Sequence, residues 1–386
     1  MGYHDLTETA KLSPPIDTSQ PYDITKVVGK TILITGGALG LGAAFARHWA
    51  AHGANLVIGD INDTAGEQLV AEFRTRHPDA SHHFFHCDVT DWDSQVALFK
   101  AAARASPHGG IDVVVANAGV NLPPANYRFE NPLADPSDPD APPRPDTRII
   151  DINVTAAMHT AHLALFWLPR NAPSQLNPAP RDSHSSSHSS SSSVSPSRDR
   201  CLLLVGSVAG LSPFVGQVQY TASKHAITGL FRALRGSAWT HGVRTTLLCP
   251  YFVSGSNMLP TAIEAAFLAG GAGGASIEDV VDAATRLVAD DGIVGRALVV
   301  GPRVGDVEED DGEGANGSKE TNRGQETRAT TGIWDCYAED YKDAETFIWR
   351  WVRMLNAVEK AKGVVGLVTD LVAILFRTKR SARAWS

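Results

Sequence analysis

The stretch Lys30-Thr31-Ile32-Leu33-Ile34-Thr35-Gly36-Gly37-Ala38-Leu39-Gly40-Leu41-Gly42 decides the fold. Its first half is a short run of β-branched and aliphatic residues, the pattern of a buried strand. Its second half is a glycine-rich turn, and from Ala43 to His52 the apolar spacing becomes helical. Strand, glycine turn and helix together form the context that a dinucleotide fingerprint requires. Glycine permits the tight turn and lets backbone N–H groups approach a pyrophosphate, while the helix N-terminus adds favourable charge. The spacing G-x-x-x-G-x-G is looser than G-x-G-x-x-G, so this stretch alone also fits an ordinary glycine-rich βα turn.

Working outward, a second strand runs from Asn55 to Gly59 and ends at Asp60. A carboxylate about 20 residues after the glycines accepts hydrogen bonds from adenosine ribose hydroxyls and would repel a 2′-phosphate. The residues that follow, Ile61, Asn62 and Asp63, include no cation. This pattern favours NAD(H) over NADP(H); the structural alternative for Asp60 is an acid at a helix N-terminus.

Much later comes Tyr220-Thr221-Ala222-Ser223-Lys224, with Ser207 at the end of the apolar run 202–206. A Tyr and a Lys four apart on a helix share one face. A free phenol, with a pKa of about 10, is a poor base at neutral pH. A neighbouring ammonium favours the phenolate, so the pair is expected to act as a general acid/base on a hydroxyl proton. Ser207 is placed to hydrogen-bond the same substrate oxygen. A solvated helix face is the alternative for the Tyr and Lys taken without the rest of the chain.

The ordered set of motifs resembles the short-chain dehydrogenase/reductase family, and covers roughly residues 29–302. The family's glycine motif corresponds to Thr35, Gly36, Gly40, Leu41 and Gly42, with Leu39 inside it. Its adenine-contacting acid corresponds to Asp88, followed by Val89, and its Asn-Ala-Gly motif to Asn117, Ala118 and Gly119. Its structural and proton-relay Asn corresponds to Asn153, and its catalytic set to Ser207, Tyr220 and Lys224. The resemblance implies a Rossmann-type doubly wound parallel α/β sheet, with Asp60, Ile61, Tyr220, Lys224, Pro250, Val253 and Ser254 also at the cofactor. One departure stands out. Where the family has Pro-Gly and then a Thr, this chain reads Pro250-Tyr251-Phe252-Val253-Ser254-Gly255. Ser254 or Ser256 is left to supply the missing hydroxyl, and Tyr251 and Phe252 either shape a substrate pocket or simply pack.

Composition bounds the alternatives. The chain has 386 residues, 43% of them hydrophobic, enough for one α/β domain with extensions. A net charge of −8 without a basic patch argues against nucleic acid as partner. Cys87, Cys201, Cys249 and Cys336 lack metal-ligand spacing, and no metal is expected. Three of them fall at strand ends, as buried free thiols do, and fit a reducing compartment. The polar arm 1–28 shows no apolar signal core, so a cytoplasmic protein is expected.

Strands alternate with helices expected at 63–76, 91–105, 147–168, 217–240 and 276–289, and a last strand at 297–300, the pattern of a doubly wound sheet. Two inserts interrupt the domain 29–304. The first, 121–145, is rich in Pro and Asp and reads as a lid or a surface excursion. The second, 170–200, contains polyserine and the pair His184 and His188, a metal site or polar filler. An acidic linker at 305–332 leads to a helical C-terminal extension, 333–386. Its apolar stretch with a basic flank, 364–383, suits either a membrane surface or packing on the core or a second subunit, so peripheral membrane association and homo-oligomerisation both stay open.

These readings predict an NAD(P)-dependent oxidoreductase that interconverts a secondary alcohol and a ketone. The apolar run Phe252, Met258, Leu259, Ile263, Phe267 and Leu268 points to a hydrophobic substrate. The inserts and the Pro-Tyr-Phe-Val variant resemble fungal dehydrogenases of secondary metabolism. Two alternatives are a catalytically idle nucleotide-binding scaffold and a membrane-peripheral reductase of lipid ketones.

Overall fold

The structure, a computed structural model of the chain, describes residues 12–171, 198–212, 214–256, 264–265, 274–303 and 332–336, with positions 357, 360 and 361. Two compact units divide the chain: 12–338, and a second made of 1–11 and 339–386. The second lies almost wholly outside the described residues. So do the polyserine segment with His184 and His188, the acidic run, the membrane-surface candidate 364–383 and most of the apolar run 257–273.

The described sheet has the order β3-β2-β1-β4-β5-β6-β7-β8. Its strands are β1 Thr31–Thr35, β2 Asn55–Asp60, β3 His82–His86, β4 Val113–Ala116, β5 Cys201–Val205, β6 Arg244–Pro250, β7 Ala297–Val300 and β8 Ile333–Cys336. All neighbours pair in parallel except β7 and β8. Helices cover both faces, so strand residues are buried whichever way they point. Ile32 and Ile34 enter one core with Phe45, Trp49 and Phe73. Leu33, between them, enters the opposite core with Phe99 and Phe231. That is why β1 reads as a continuous apolar run and not as an alternating one.

The helices are α1 Gly40–Ala51, α2 Asp63–Arg76, α3 Trp92–Ala105, α4 Pro123–Glu130, α5 Ala157–Trp167, α6 Val218–Arg235 and α7 Ile277–Ala289. On α6, Tyr220, Ser223, Lys224, Ile227 and Phe231 are buried, a stripe at helical spacing against the sheet. The expected helix 147–168 is interrupted by a π segment, Asp151–Ala156, that carries Asn153. The whole run Arg148–Arg170 is apolar and long enough to cross a bilayer by length and composition alone, and its Ala161, Ala164 and Leu168 lie in the core.

Three expectations are corrected here. Among the described residues the last strand is β8, not 297–300, and the C-terminal extension therefore does not begin as helix at 333: Ile333 pairs with Val300 and Cys336 with Ala297. The described part of the arm, residues 12–28, is part of the domain. Ser13 exchanges hydrogen bonds with Val294, the Ile16 N–H donates to Asp335, the Thr18 hydroxyl donates to the Ile333 carbonyl, and Val27 is fully buried. The insert 121–145 is not wholly a surface excursion either. Pro123 and Pro124 open α4, where a missing N–H costs nothing, and Asn126 on that helix is fully buried.

The ends of the second insert meet at the N-terminal edge of the sheet, away from the carboxyl ends of the strands. The Asn171 amide donates to Asp112 at 2.7 Å, and Arg200 donates to the Asn171 carbonyl at 2.7 Å. Arg198 donates to Asp112 at 2.8 Å. A stem closed by its own hydrogen bonds does not need the residues between its ends. Replacing residues 174–195 with a short Gly-Ser link should therefore leave NADH affinity within about twofold, as for a surface change. A loss beyond tenfold in a fluorescence titration, well above that range, would mean the insert reaches the cleft.

Candidate active site

In a doubly wound sheet, ligands bind outside the carboxyl ends of the strands, where the strand order reverses. Here that point lies between β1 and β4. A cleft of about 680 Å³ opens there, lined at one end by the turn after β1 and at the other by Ser207, Tyr220 and Lys224.

The turn fits a dinucleotide by its own shape. Gly36 has φ +62°, and a Cβ there would fall 2.7 Å from the Ala118 Cα. At Gly42 a Cβ would fall 2.4 Å from the Gly36 carbonyl oxygen, so only glycine lets α1 close on the turn. Leu39 precedes α1 without a capping side chain, which leaves the helix's first N–H groups to a ligand. Asp60 accepts from the Ala38 N–H at 3.0 Å and, through its other oxygen, from the Asn62 N–H at 3.0 Å. A carboxylate oxygen has capacity for more than one donor, so both remain able to accept ribose hydroxyls.

Most of the expected cofactor residues line this cleft: Gly36, Leu39, Gly40, Leu41, Asp60, Ile61, Asp88, Val89, Asn117, Ala118, Gly119, Pro250 and Val253. Three expected site residues do not. Gly42 lies beneath the turn. Asn153 is 2% exposed and stands behind the wall: its amide donates to the Val120 carbonyl (2.8 Å) and to Ser223 (3.1 Å) and accepts from the Val120 N–H (2.8 Å). Ser223 in turn donates to the Tyr220 carbonyl at 2.7 Å, so Asn153 ties the Asn-Ala-Gly loop to α6. Ser254 does not line the cleft: the chain turns after Val253, and the Ser254 hydroxyl stands beside Gly274. Ser256 faces the cleft instead. Asn117 lines the cleft and also has a holding role, donating to the Thr35 and Gly36 carbonyls at 3.0 and 2.8 Å.

At the other end, Ser207 donates to the Pro250 carbonyl and accepts from the Ala209 N–H. Lys224 donates to the Val205 carbonyl at 3.1 Å, with its Nζ 5.7 Å from the Tyr220 ring centroid. Burial pushes the Tyr220 phenol up, and the Ser207 hydroxyl beside it works against that. Burial pulls Lys224 down to about 8, with the Cys249 thiol opposing. The expected lowering of Tyr220 by an adjacent ammonium does not appear: burial dominates at both groups, and each moves toward its neutral form.

The cleft wall beside Tyr220 is apolar and partly unforeseen. Tyr251 and Phe252 line it, and Phe214 lies 6.2 Å from Tyr251, ring to ring. Leu122, Pro123 and Gln217 also line it. The only available signal for them was adjacency to Asn-Ala-Gly and to Tyr220. Among the described residues no His, Cys, Asp or Glu cluster could hold a metal ion. Cys87, Cys201 and Cys249 are buried free thiols.

The short chain dehydrogenase family profile matches residues 30–172 and 201–265. The 5′-hydroxyaverantin dehydrogenase of Emericella nidulans is 37% identical over 311 residues, covering 76% of this chain and 92% of the relative. The 5′-hydroxyaverantin dehydrogenase of Dothistroma septosporum is 32% identical over 288 residues, 72% of this chain and 87% of the relative. An NADP-dependent dehydrogenase of Cochliobolus lunatus is 32% identical over 229 residues, 58% of this chain and 71% of the relative. With its reversing parallel sheet, its glycine turn and its Ser, Tyr and Lys on one cleft, the chain belongs to the short chain dehydrogenase family and is an oxidoreductase of CH–OH groups.

Proposed function

We propose that the protein interconverts a secondary alcohol and a ketone on a hydrophobic small molecule, with NAD(H) as cofactor and Tyr220 as the general acid/base. The observation that carries this is the single cleft that joins the glycine turn to Ser207, Tyr220 and Lys224 beneath an apolar wall. Relatives named for dehydrogenation of 5′-hydroxyaverantin support the alcohol-to-carbonyl class.

The turn 36–42 and the start of α1 would hold the pyrophosphate, Asp60 the adenosine ribose, and Asp88 and Val89 the adenine side. Lys224 and the Val253 backbone would hold the nicotinamide half. When bound, the cofactor supplies the acceptor for the hydride removed from the carbinol carbon. Ser207 and Tyr220 orient the substrate hydroxyl, and Tyr220 takes its proton as the carbonyl forms. In reduction Tyr220 donates that proton to the carbonyl oxygen. Asn153 contributes by holding Val120 and Ser223, and so the distance between the loop and α6. Val208, Phe214 and Tyr251 exclude water from the reacting carbon.

Asp60 favours NAD(H): a 2′-phosphate beside it would be repelled, and the two residues that follow it, Ile61 and Asn62, offer no cation. Titration of nicotinamide fluorescence should show NADH binding at least tenfold tighter than NADPH, an adverse interaction of about 1.4 kcal/mol. Asp60→Ala should narrow that gap. Tighter NADPH binding by the wild type would overturn the assignment of Asp60, and binding of neither would overturn the proposed function.

A further inference from the structure

The helix that carries Tyr220 lacks a cap of its own. Gln217 precedes α6 and gives no side-chain hydrogen bond to its first turn. The cap comes from 94 residues away in sequence, from the first insert. Asn126 Oδ1 accepts from the Gln219 N–H at 3.0 Å and from the Tyr220 N–H at 3.2 Å. These are the second and third helical positions, the pair that an N-cap side chain serves.

The other end of the same amide faces the substrate side. Asn126 Nδ2 donates to Asn121 Oδ1 (3.0 Å), to Gln217 Oε1 (3.0 Å) and to the Leu122 carbonyl (3.4 Å). Asn121, Leu122 and Gln217 all line the cleft. The orientation of the amide is forced, because the reverse would set its N–H groups against two backbone N–H donors. Gln219 closes the loop on the helix as well, donating to the Ala125 carbonyl at 3.2 Å and the Asp146 carbonyl at 3.0 Å, one near each end of the insert.

We propose that Asn126 is a positioning residue for this enzyme: its carbonyl end fixes the turn of α6 that carries Tyr220, and its amide end fixes the substrate-side wall. This rests on the proposed role of Tyr220, but the two ends make separable demands. An Asp at 126 keeps an acceptor for Gln219 and Tyr220 and loses every donation to the wall. An Ala loses both.

The test combines hydrogen exchange with kinetics on the full chain. In Asn126→Ala, backbone exchange in a peptide spanning 217–221 should accelerate about tenfold while the central strands keep wild-type protection, as for a local opening. In Asn126→Asp it should stay near wild type. With a secondary alcohol turned over by the wild type, Asn126→Ala should lose about tenfold or more in kcat, the scale of a misplaced catalytic group, with NADH affinity unchanged. Asn126→Asp should keep kcat and raise KM. Should Asn126→Asp not fold, Asn121→Ala carries the wall arm: KM rises and exchange at 217–221 does not move. Unchanged exchange in Asn126→Ala, or equal loss of protection across the sheet in both variants, overturns the proposal. A wild type without turnover overturns the proposed function, and the exchange arm still decides the role of Asn126.

Discussion

Replacing Tyr220 with Phe should cut turnover by about 10²–10⁴-fold, the range that a positioned acid/base contributes. Only the hydroxyl is lost, and the ring stays packed in a residue that is 9% exposed. NADH affinity should therefore hold within about twofold, as for a change away from the cofactor's main contacts. The wild-type pH profile checks the same group from another side. Burial raises Tyr220 above the usual phenol range in the cofactor-free protein. The phenol is then protonated at neutral pH, ready to donate in ketone reduction. Alcohol oxidation needs the phenolate, so its rate should climb with pH while reduction falls on the alkaline side. Substantial turnover by Tyr220→Phe would remove Tyr220 from the chemistry, whatever its position.

The largest effect on stability should come from Asp199, at the opposite end of the sheet. Asp199 receives Arg244 through both oxygens, Nε at 2.7 Å and Nη2 at 2.6 Å, and Lys30 at 2.8 Å. Arg244 is 1% exposed and also donates to the Leu287 and Val288 carbonyls, at the end of α7, where a cation meets the negative end of the helix dipole. Removing the carboxylate leaves the buried Arg244 facing a partly buried Lys30 with no anion between them. Asp199→Asn should cost about 3–5 kcal/mol, a fall in Tm on the order of 10 °C for a domain of this size. Lys30→Met should cost less in the Asp199→Asn background than alone, which a double-mutant cycle reads directly. Burial works to raise the Asp199 carboxyl, but Arg244 and Lys30 overcome it and hold it at about 2, below the ordinary 3.8. The contribution is therefore full above 3.8 and is lost as pH falls toward 2. A Tm within 2 °C of wild type in Asp199→Asn, less than 1 kcal/mol, would show that the cluster is dispensable.

The sheet and the meeting of Ser207, Tyr220 and Lys224 on one cleft were legible in the sequence because both depend on short-range periodicity. Ile32, Leu33 and Ile34 form a continuous apolar run only when both faces of a strand are covered, and the glycines after them mark the turn. Tyr220 and Lys224 advertise a shared helix face by their spacing, and Ser207 by its place at a strand end. What stayed hidden depends on distance or register. β8 is four residues long and follows an acidic run, so nothing in Ile333-Trp334-Asp335-Cys336 marks it as a sheet strand until its partner β7 is known. Asn126 sits in a Pro- and Asp-rich stretch whose composition suggests a loop, and its role is set by amides 93 and 94 residues away. Whether Ser254 or Ser256 faces the cleft is set by the turn after Val253, where Gly255 adopts φ +74°. The direction of the Tyr220 shift follows from burial, which spacing does not report.

The last consequence concerns the residues ahead of the first strand. An outer strand leaves unpaired N–H and C=O groups, and such a row recruits strands from other molecules unless something blunts it. Among the described residues β8 is the outer strand on its side, with Trp334 45% exposed. Thr18 occupies the Ile333 carbonyl, and the backbone at Ile16 is tied to Asp335. The segment 13–18 therefore acts as a guard against intermolecular pairing as well as a packing element. A domain boundary drawn at Gly29, where the glycine motif invites one, would strip that guard from β8.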